Sequence, residues 1–446
     1  MIDPRFSADS GFVPDPRVAA VTQPETTGRQ IVVFADADDD SSVDWGRAGI
    51  SSVADTRDFA SGGMPPETMH EAQATVFANL GIAVVSADPV QTAMLQAAET
   101  TGRRVLSVSP ELVHHVLQDV LEYTRAYRDG VDDLAERVLH AHEHDATMTA
   151  ALAAPLFADN AQATWGIQAV KADSSPMSGR GIAVAVLDTG FDLAHPDFAG
   201  RDVTAMSFVT GEQAQDGHGH GTHCIGTSCG PRSPSTGPRY GIAYEADIFA
   251  GKVLSNSGSG TDGGILAGID WAVSNGCPVI SMSLGADVMQ VHPPYSAAGA
   301  RALQKGSLII AAAGNNADRR VGRFGFVGAP ANSPEIMAVG ALDQRLEMAF
   351  FSARSLPARG GQVDIAGPGF QVLSSWPLPT RYRSISGTSM ATPHVAGVAA
   401  LFAQATGRRG LELWATLVQE SERLLQASLD VGSGLCQAPQ EVPPQQ

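Results

Sequence analysis

Ser389 lies at the start of a predicted helix, a position that suits a serine nucleophile. It lies in the stretch Ser386-Gly-Thr-Ser-Met-Ala-Thr-Pro-His394, just before a run of small apolar residues, 391–405, typical of a buried helix. Unpaired N–H groups at a helix N-terminus favour negative charge, so the position suits a reaction with an oxyanion intermediate. A serine that opens a helix is more often only an N-cap. This stretch alone therefore leaves both roles open.

Three other residues supply the groups that a serine nucleophile needs. Asp188 ends an apolar run in Leu-Asp-Thr-Gly, His220 opens a Gly-rich segment in His-Gly-Thr-His, and Asn315 follows an apolar run in Ala-Ala-Gly-Asn. Sites in α/β proteins lie at the carboxyl ends of parallel strands. A carboxylate to orient the base, a histidine base, a serine and an amide donor together can perform acyl transfer, and the order Asp, His, Ser is one known for this geometry.

These residues require a sheet that brings strand ends together. From Trp165 onward, continuous apolar runs alternate with helical segments, which predicts an α/β domain with a parallel sheet flanked by helices. The predicted strands are 181–187, 247–253, 279–283, 307–313 and 336–339. The predicted helices are 220–229, 263–274, 295–305, the run that begins at Ser389, and 410–427.

A smaller α+β unit is expected before this domain. Residues 29–115 contain short apolar runs that predict strands at 30–34, 50–56, 74–77, 81–86 and 104–108, and a helix at 89–100. Residues 1–28 are expected to form a flexible arm and 437–446 a disordered tail. Helical spacing of apolar residues over 113–144 predicts a helical segment and linker across 116–159. The main domain would span 160–436.

Composition narrows the partners and the compartment. The 446 residues carry a formal net charge of -18, which disfavours nucleic acids and anionic membranes as partners. No apolar stretch is long enough to predict a membrane span. The first residues lack the pattern of a secretory signal, so we expect a cytoplasmic protein, with export by a leaderless route left open.

Together, the four motifs resemble the signatures of the subtilisin family (subtilases) of serine proteases, in family order and over roughly residues 160–436. The resemblance implies that Asp188 orients His220, that His220 acts as the base, and that Ser389 attacks the peptide carbonyl. It implies that Asn315 and the backbone N–H of Ser389 bind the oxyanion. We expect a serine endopeptidase acting on proteins or peptides, with no required cofactor.

The resemblance also implies where substrate binds. Two short segments resemble the family's substrate-binding strands, and two glycines resemble positions at its main specificity pocket. These residues are Gly258, Ser259, Gly260, Ser283, Leu284, Gly285, Gly314 and Gly328. A glycine at the pocket base and uncharged walls predict a preference for a large apolar residue before the cut bond (P1). The Gly-Ser-Gly segment can equally be a flexible loop.

Cation binding is expected to be weak. Asp364, with carbonyl groups from 331–336, resembles the family's second cation site, so calcium is a possible weak ligand. The segment 230–240, where the family has a tight calcium loop, contains no Asn and no carboxylate. Asp197 matches one ligand of that tight site but is expected to lack partner ligands.

The N-terminal unit resembles the family's prosegment, an intramolecular chaperone and inhibitor. We expect a zymogen that cuts itself in the linker 153–159, where Leu156 and Phe157 suit an apolar pocket. One alternative is a permanent N-terminal domain that recruits partners, and another is a catalytically silent binding module. A zinc cluster of His218, His220, His223 and Asp216, or an aspartic-protease pair of Asp188 with Asp9, fits the sequence less well.

Overall fold

The computed structural model describes residues 24–35, 45–46, 48–101, 104–117, 155–356 and 361–441. Most of the predicted arm, the region 118–154 and residues 442–446 lie outside this part of the chain. The described residues form two seven-stranded sheets and a two-stranded ribbon. Two strands of the first sheet belong to the C-terminal part of the chain, so this sheet joins the two units.

The described residues of the N-terminal unit form five strands and two helices. Its strands follow the order β5-β1-β4-β3-β2. Ile31 and Val33 point to one face of β1, and Val32 and Phe34 point to the other, as the two-residue period of a strand requires. The elements are β1 (Thr26–Phe34), β2 (Val53–Asp55), α1 (Pro66–Glu71), β3 (Ala74–Phe77), β4 (Ile82–Val85), α2 (Pro89–Thr101) and β5 (Val105–Val116), with 3₁₀ turns at Thr56–Asp58 and Ala60–Gly62.

The larger unit is built on a parallel sheet of order β14-β13-β12-β10-β6-β8-β7. Its first elements are α3 (Trp165–Ala169), β6 (Ala183–Asp188), β7 (Val203–Ser207), α4 (His220–Cys229), β8 (Asp247–Lys252), β9 (Ser259–Thr261) and α5 (Asp262–Ser274). Next come β10 (Val279–Met282), β11 (Leu284–Gly285), α6 (Pro293–Gln304), β12 (Leu308–Ala312), β13 (Met337–Leu342) and β14 (Ile365–Pro368). The remaining elements are β15 (Val372–Trp376), β16 (Arg381–Ile385), α7 (Thr388–Thr406), α8 (Gly410–Gln419) and α9 (Ser428–Val431), with 3₁₀ turns at Pro196–Phe198 and Arg319–Val321.

Both faces of this sheet are covered by helices. Val184 and Val186 of β6 belong to the apolar cluster that contains α4 and α7, whereas Ala185 and Leu187 belong to the cluster that contains α5 and α6. A strand buried on both faces needs an apolar residue at every position, which explains the continuous apolar runs in the sequence. The predicted α/β fold with a subtilisin-like parallel sheet is confirmed.

The N-terminal unit packs on α5 and α6. Ile31 and Val33 share an apolar cluster with Trp271 of α5 and Ala298 of α6. At the edge of this contact, the guanidinium group of Arg301 donates to backbone carbonyls of the N-terminal unit. The two units therefore bury one apolar surface against each other.

Strand β5 continues beyond its own unit, where the sequence predicted the start of a helix at Val113. Residues 113–115 pair antiparallel with β9, and residues 115–116 pair antiparallel with β11. The helical prediction is wrong for 113–116, because β9 and β11 offer unpaired backbone groups that only an extended chain can satisfy. Residues 118–144 of the predicted helical segment lie outside the described residues.

The C-terminal region also differs from the prediction. The helix expected over 410–427 ends at Gln419, after which Glu422 exchanges two backbone hydrogen bonds with Leu435. The expected disordered tail is packed at its start, since the side chain of Gln437 donates to Ala169 O and the N–H of Ala438 donates to Val170 O. These contacts fix the chain where composition alone suggested disorder.

Among the described residues, no helix has both the length and the apolar character that a membrane crossing requires.

Candidate active site

Asp188 and His220 form a buried pair at the carboxyl end of the parallel sheet. Asp188 is the last residue of β6, and His220 is the first residue of α4. The Nδ1 atom of His220 lies 2.8 Å from Oδ1 and 3.0 Å from Oδ2 of Asp188. The next residue, Gly221, has to be a glycine, because a Cβ there would lie 2.2 Å from the carbonyl oxygen of Gly190. The close approach of α4 to the end of β6 is what brings the two side chains together.

Burial and the neighbouring carboxylate of Asp188 shift the pKa of His220 in opposite directions. Burial on its own lowers the pKa of an imidazole, but the adjacent carboxylate and its hydrogen bond raise the pKa of His220 above its usual value of 6.5. The Nε2 atom of His220 is buried and makes no hydrogen bond to the described residues. This nitrogen is therefore available to accept a proton from a nucleophile.

Ser389 lies in the first turn of α7, which is fully buried over most of its length. The Ser389 hydroxyl donates to the carbonyl oxygen of Ser283 at 3.1 Å, and the Ser283 hydroxyl donates to the carbonyl oxygen of Ser389 at 2.8 Å. In this arrangement the serine hydroxyl is not hydrogen bonded to His220.

Asn315 presents its amide to the cleft. Its Oδ1 atom accepts hydrogen bonds from the backbone N–H and the hydroxyl of Thr388, each at 2.9 Å. This orientation leaves Nδ2 to donate to the carbonyl oxygen of Leu117 at 3.4 Å. The donor that the sequence suggested for an oxyanion therefore lies against a peptide carbonyl of the N-terminal unit.

The end of β5 occupies the cleft between the two predicted substrate-binding segments. His114 pairs with Gly260, and Val116 pairs with Leu284. The backbone N–H of Val116 donates to the carbonyl of Gly258 at 2.8 Å. The structure thus brings residues 258–260 and 283–285 to opposite sides of one extended segment, in the way that a bound peptide would lie.

The side chain of Leu117 is half-buried and lies beside β11. A Cβ added to Gly285 would be 3.5 Å from Cδ2 of Leu117, which is ordinary contact. Gly328 is constrained by the backbone, because a Cβ there would lie 2.4 Å from the carbonyl oxygen of Ala286. Gly314 has φ 122° and donates its N–H to the Thr388 hydroxyl. The role of these two glycines in a specificity pocket stays a prediction.

The described residues of the predicted cut site, 155–159, contact the larger unit at Gln344 and at its core; residues 153 and 154 lie outside the described part of the chain. The backbone N–H groups of Leu156 and Phe157 both donate to the carbonyl of Gln344, and Phe157 packs against the core of the larger unit. The carbonyl that accepts from the Asn315 amide belongs to Leu117 and not to the described linker residues 155–159. Sequence reasoning missed Leu117 because helical spacing further along the chain masked the two-residue alternation of burial at 112–116.

The residues of the zinc alternative do not converge. His223 uses Nε2 to contact the carbonyls of Val372 and Arg383, and Asp216 accepts hydrogen bonds from Thr222 and from backbone N–H groups. Within the described part of the chain, the only cluster of three candidate ligands is Asp188, His220 and Cys224. Burial raises the pKa of the Cys224 thiol, whose sulfur lies 3.8 Å from Nδ1 of His220.

The two candidate cation positions differ in their surroundings. Asp197 accepts hydrogen bonds from the hydroxyls of Tyr240 and Tyr382 and from the N–H of Ser235, and its lack of partner cation ligands stays a prediction. Burial alone would raise the pKa of Asp197, but these hydrogen bonds lower it below its usual value. Protein donors thus occupy the carboxylate that matched the tight calcium site.

Asp364 is the other candidate, and its carboxyl group accepts from the N–H of Ala338 at 2.8 Å. Burial raises its pKa to about 7. A cation would have to displace a proton from this group below that pH. One carboxylate beside backbone carbonyls fits a weak hard-cation site better than a tight one, and the site stays a prediction.

Comparison with known proteins supplies independent information on the larger unit. Residues 179–430 match the subtilase family, peptidase S8. The chain is 40% identical over 245 residues to subtilisin DY of Bacillus licheniformis, covering 53% of this chain and 83% of that protein. It is 40% identical over 251 residues to thermitase of Thermoactinomyces vulgaris, covering 55% and 83%. For subtilisin Savinase of Lederbergia lenta, identity is 42% over 244 residues, covering 54% and 84%. The family match begins after the N-terminal unit.

Proposed function

This chain belongs to the subtilase family of serine endopeptidases, and we propose that it cuts peptide bonds through an acyl-enzyme formed on Ser389. In this proposal His220 accepts the serine proton at Nε2, and Asp188 fixes the imidazole through Nδ1 and stabilises its positive charge. Asn315 and the N–H of Ser389 bind the oxyanion. These roles are supported by the contacts of Asp188 with His220 and by the orientation of the Asn315 amide towards the cleft.

We further propose that the N-terminal unit is an intramolecular inhibitor and that the first self-cut follows Leu117. The observation that carries this proposal is the position of residues 114–117, which lie antiparallel between β9 and β11 with the Leu117 carbonyl 3.4 Å from Asn315 Nδ2. A peptide bond presented in this way is in the position of a substrate. Because the chain itself offers a leucine there, the proposal includes a preference for large apolar P1 residues.

The catalytic roles are tested with three purified variants and a fluorophosphonate probe, which reacts only with an activated serine. Ser389→Ala should abolish labelling and lower kcat on the order of 10⁶-fold, the magnitude known for subtilisin. Asn315→Ala should lower kcat about 10²- to 10³-fold with little change in KM, because the amide binds charge that exists only in the transition state. Asn275→Ala, whose side chain contacts Ser61 and Trp271 away from the cleft, is the matched control.

An unlabelled wild-type protein with no hydrolytic activity would favour the silent binding module. Activity that survives Ser389→Ala would remove the serine mechanism altogether.

A further inference from the structure

A fully buried carboxylate lies beside the cleft in contact with a histidine of the N-terminal unit. Asp262 is the first residue of α5 and is 0% exposed. Its Oδ1 atom accepts from Nε2 of His114 at 2.7 Å. Its Oδ2 atom accepts from the N–H of Leu112 at 2.6 Å and from Nε2 of His292 at 3.0 Å. The ring of Tyr295 packs edge-on against His114, with 5.4 Å between the ring centroids. These groups enclose the imidazole in a polar pocket.

The backbone register places this pocket opposite one residue of any bound peptide. His114 pairs with Gly260, three residues before Leu117, whose carbonyl faces Asn315. Side chains of a strand alternate between its two faces, so a peptide in the same register directs its fourth residue before the cut bond towards Asp262. We write this position as P4.

The pocket loses partners when the N-terminal unit leaves. His114 and the Leu112 N–H, which donate to the Asp262 carboxylate, belong to that unit, whereas His292 and the neighbouring Tyr295 hydroxyl belong to the larger one. Burial on its own would raise the pKa of Asp262, whereas the charges and hydrogen bonds of His114 and His292 lower it. An aliphatic side chain that covers this carboxylate cannot replace the hydrogen bond from His114. Because the site is buried, the missing hydrogen bond weakens substrate binding.

We propose that Asp262, with His292 and Tyr295, forms a specificity pocket for histidine at P4. The inference rests on the proposed function, because the position is counted from a cut after Leu117. Imidazole satisfies both features of the pocket, since it offers an N–H to the carboxylate and an aromatic ring that forms a T-shaped pair with Tyr295. A leucine or alanine side chain offers no donor, and a glutamate side chain brings a second negative charge.

The test uses the processed wild-type enzyme obtained from the full-length chain. Four peptides share one sequence with leucine at P1 and differ only at P4, which is His, Leu, Ala or Glu. The measured quantities are kcat/KM and the position of the cut by mass spectrometry. We expect kcat/KM for the His peptide to exceed that of the Leu and Ala peptides by about 10- to 100-fold, the range for a hydrogen bond to a buried charge. The Glu peptide should be the poorest.

The outcomes separate the inference from the proposed function. Equal rates for the His, Leu and Ala peptides, all cut after the P1 leucine, overturn the histidine pocket and leave the proposed function standing. Failure to cut any peptide after leucine overturns the proposed function, and the inference falls with it.

A pair of variants on one helix then identifies the residue responsible. Asp262→Ala should bring the ratio of His to Ala peptides close to one. Asp270→Ala removes another buried carboxylate of α5 that contacts Asn79 outside the cleft, so it should keep the wild-type ratio. A wild-type ratio in Asp262→Ala overturns the assignment. If that variant does not fold, the peptide series on the wild-type enzyme still decides the inference.

Discussion

At the scale of single residues, hydrogen bonds to neighbouring groups fix the orientation of the proposed catalytic side chains. Two hydrogen bonds from Thr388 fix the side chain of Asn315, so that its amide donor faces the cleft. Asp188 fixes the imidazole of His220 through Nδ1 and leaves Nε2 towards the nucleophile. The residues that orient Asn315 and His220, namely Thr388 and Asp188, therefore lie in the sequence motifs themselves.

The pH dependence of activity follows from the pair of Asp188 and His220. His220 can act as a base only when it is neutral, and the carboxylate raises its pKa. We expect kcat/KM to rise with pH, with the midpoint of this acid limb above 6.5. A profile measured from about pH 5 to about pH 10 tests this. Asp188→Asn should shift the limb to lower pH and greatly reduce kcat, whereas a wild-type midpoint below 6.5 would contradict the assignment.

Sequence reasoning could reach some of these residues and not others. Asp188, His220, Asn315 and Ser389 each lie in a short local motif, so their proximity follows from strand ends that meet at one edge of a sheet. The pocket at Asp262 combines residues from the start of α5, the segment before α6, and the N-terminal unit. No local pattern links such positions, because only packing of the two units brings them together.

At the scale of elements, strand β5 shows how neighbours decide conformation. Its residues 113–116 fit a helical spacing as well as an alternating one, and the unpaired edges of β9 and β11 select the strand. The ends of other elements differ from the prediction by a few residues, as at α6 and β13. The helix expected over 410–427 is shorter for a different reason. It ends at Gln419, and the chain then forms an antiparallel bridge between Glu422 and Leu435.

A buried carboxyl group of α5, Asp270, leads us to expect that release of the N-terminal unit depends on pH. Asp270 accepts a hydrogen bond from the N–H of Asn79, and its burial raises its pKa to about 6. When release exposes Asp270 to solvent and returns its pKa to the usual value, the raised pKa in the complex favours the complex below about pH 4, and that contribution is lost as pH rises through about 6. The loss is at most about 3 kcal/mol, since one pKa unit corresponds to about 1.4 kcal/mol.

We therefore expect the cut N-terminal unit to inhibit less at neutral pH than at acidic pH. The measurement is the dissociation rate of the cut complex between about pH 4 and about pH 7. Asp270→Asn should flatten this dependence. A variant with the same pH dependence as wild type would show that other groups control release.

At the scale of the whole molecule, one apolar surface joins the two units. The N-terminal unit covers an apolar surface formed by α5 and α6. The sequence predicted two units and their boundary near residue 115. It did not predict that β5 completes a sheet with β9 and β11, because pairing across units depends on the relative position of strands far apart in the chain.

We expect the buried carboxyl group of Asp364 to make global stability depend on pH and on calcium. Because burial raises its folded-state pKa to about 7, the folded protein is favoured most below about pH 4, and this contribution falls as pH rises through about 7. The change is on the order of 4 kcal/mol. In a Ser389→Ala background, which prevents self-digestion, we expect Tm to fall between about pH 5 and about pH 8.

Calcium should raise Tm at the higher pH, where the carboxylate can bind it, and have less effect at the lower pH. Asp364→Asn is the control: its Tm should fall less with rising pH than that of the parent chain, and it should not respond to calcium. A calcium effect of equal size in Asp364→Asn would place the cation elsewhere.

We propose that the end of β5 lies in the cleft as the first substrate of the enzyme. This proposal is tested most directly by the mass of the N-terminal fragment that the purified wild-type chain releases, measured beside the Ser389→Ala chain. We expect a wild-type fragment whose last residue is Leu117, whatever later trimming occurs between 118 and 159, and an uncut Ser389→Ala chain of 446 residues. A wild-type chain that stays intact and fully active, or a first fragment that ends within 153–159, would contradict the claim.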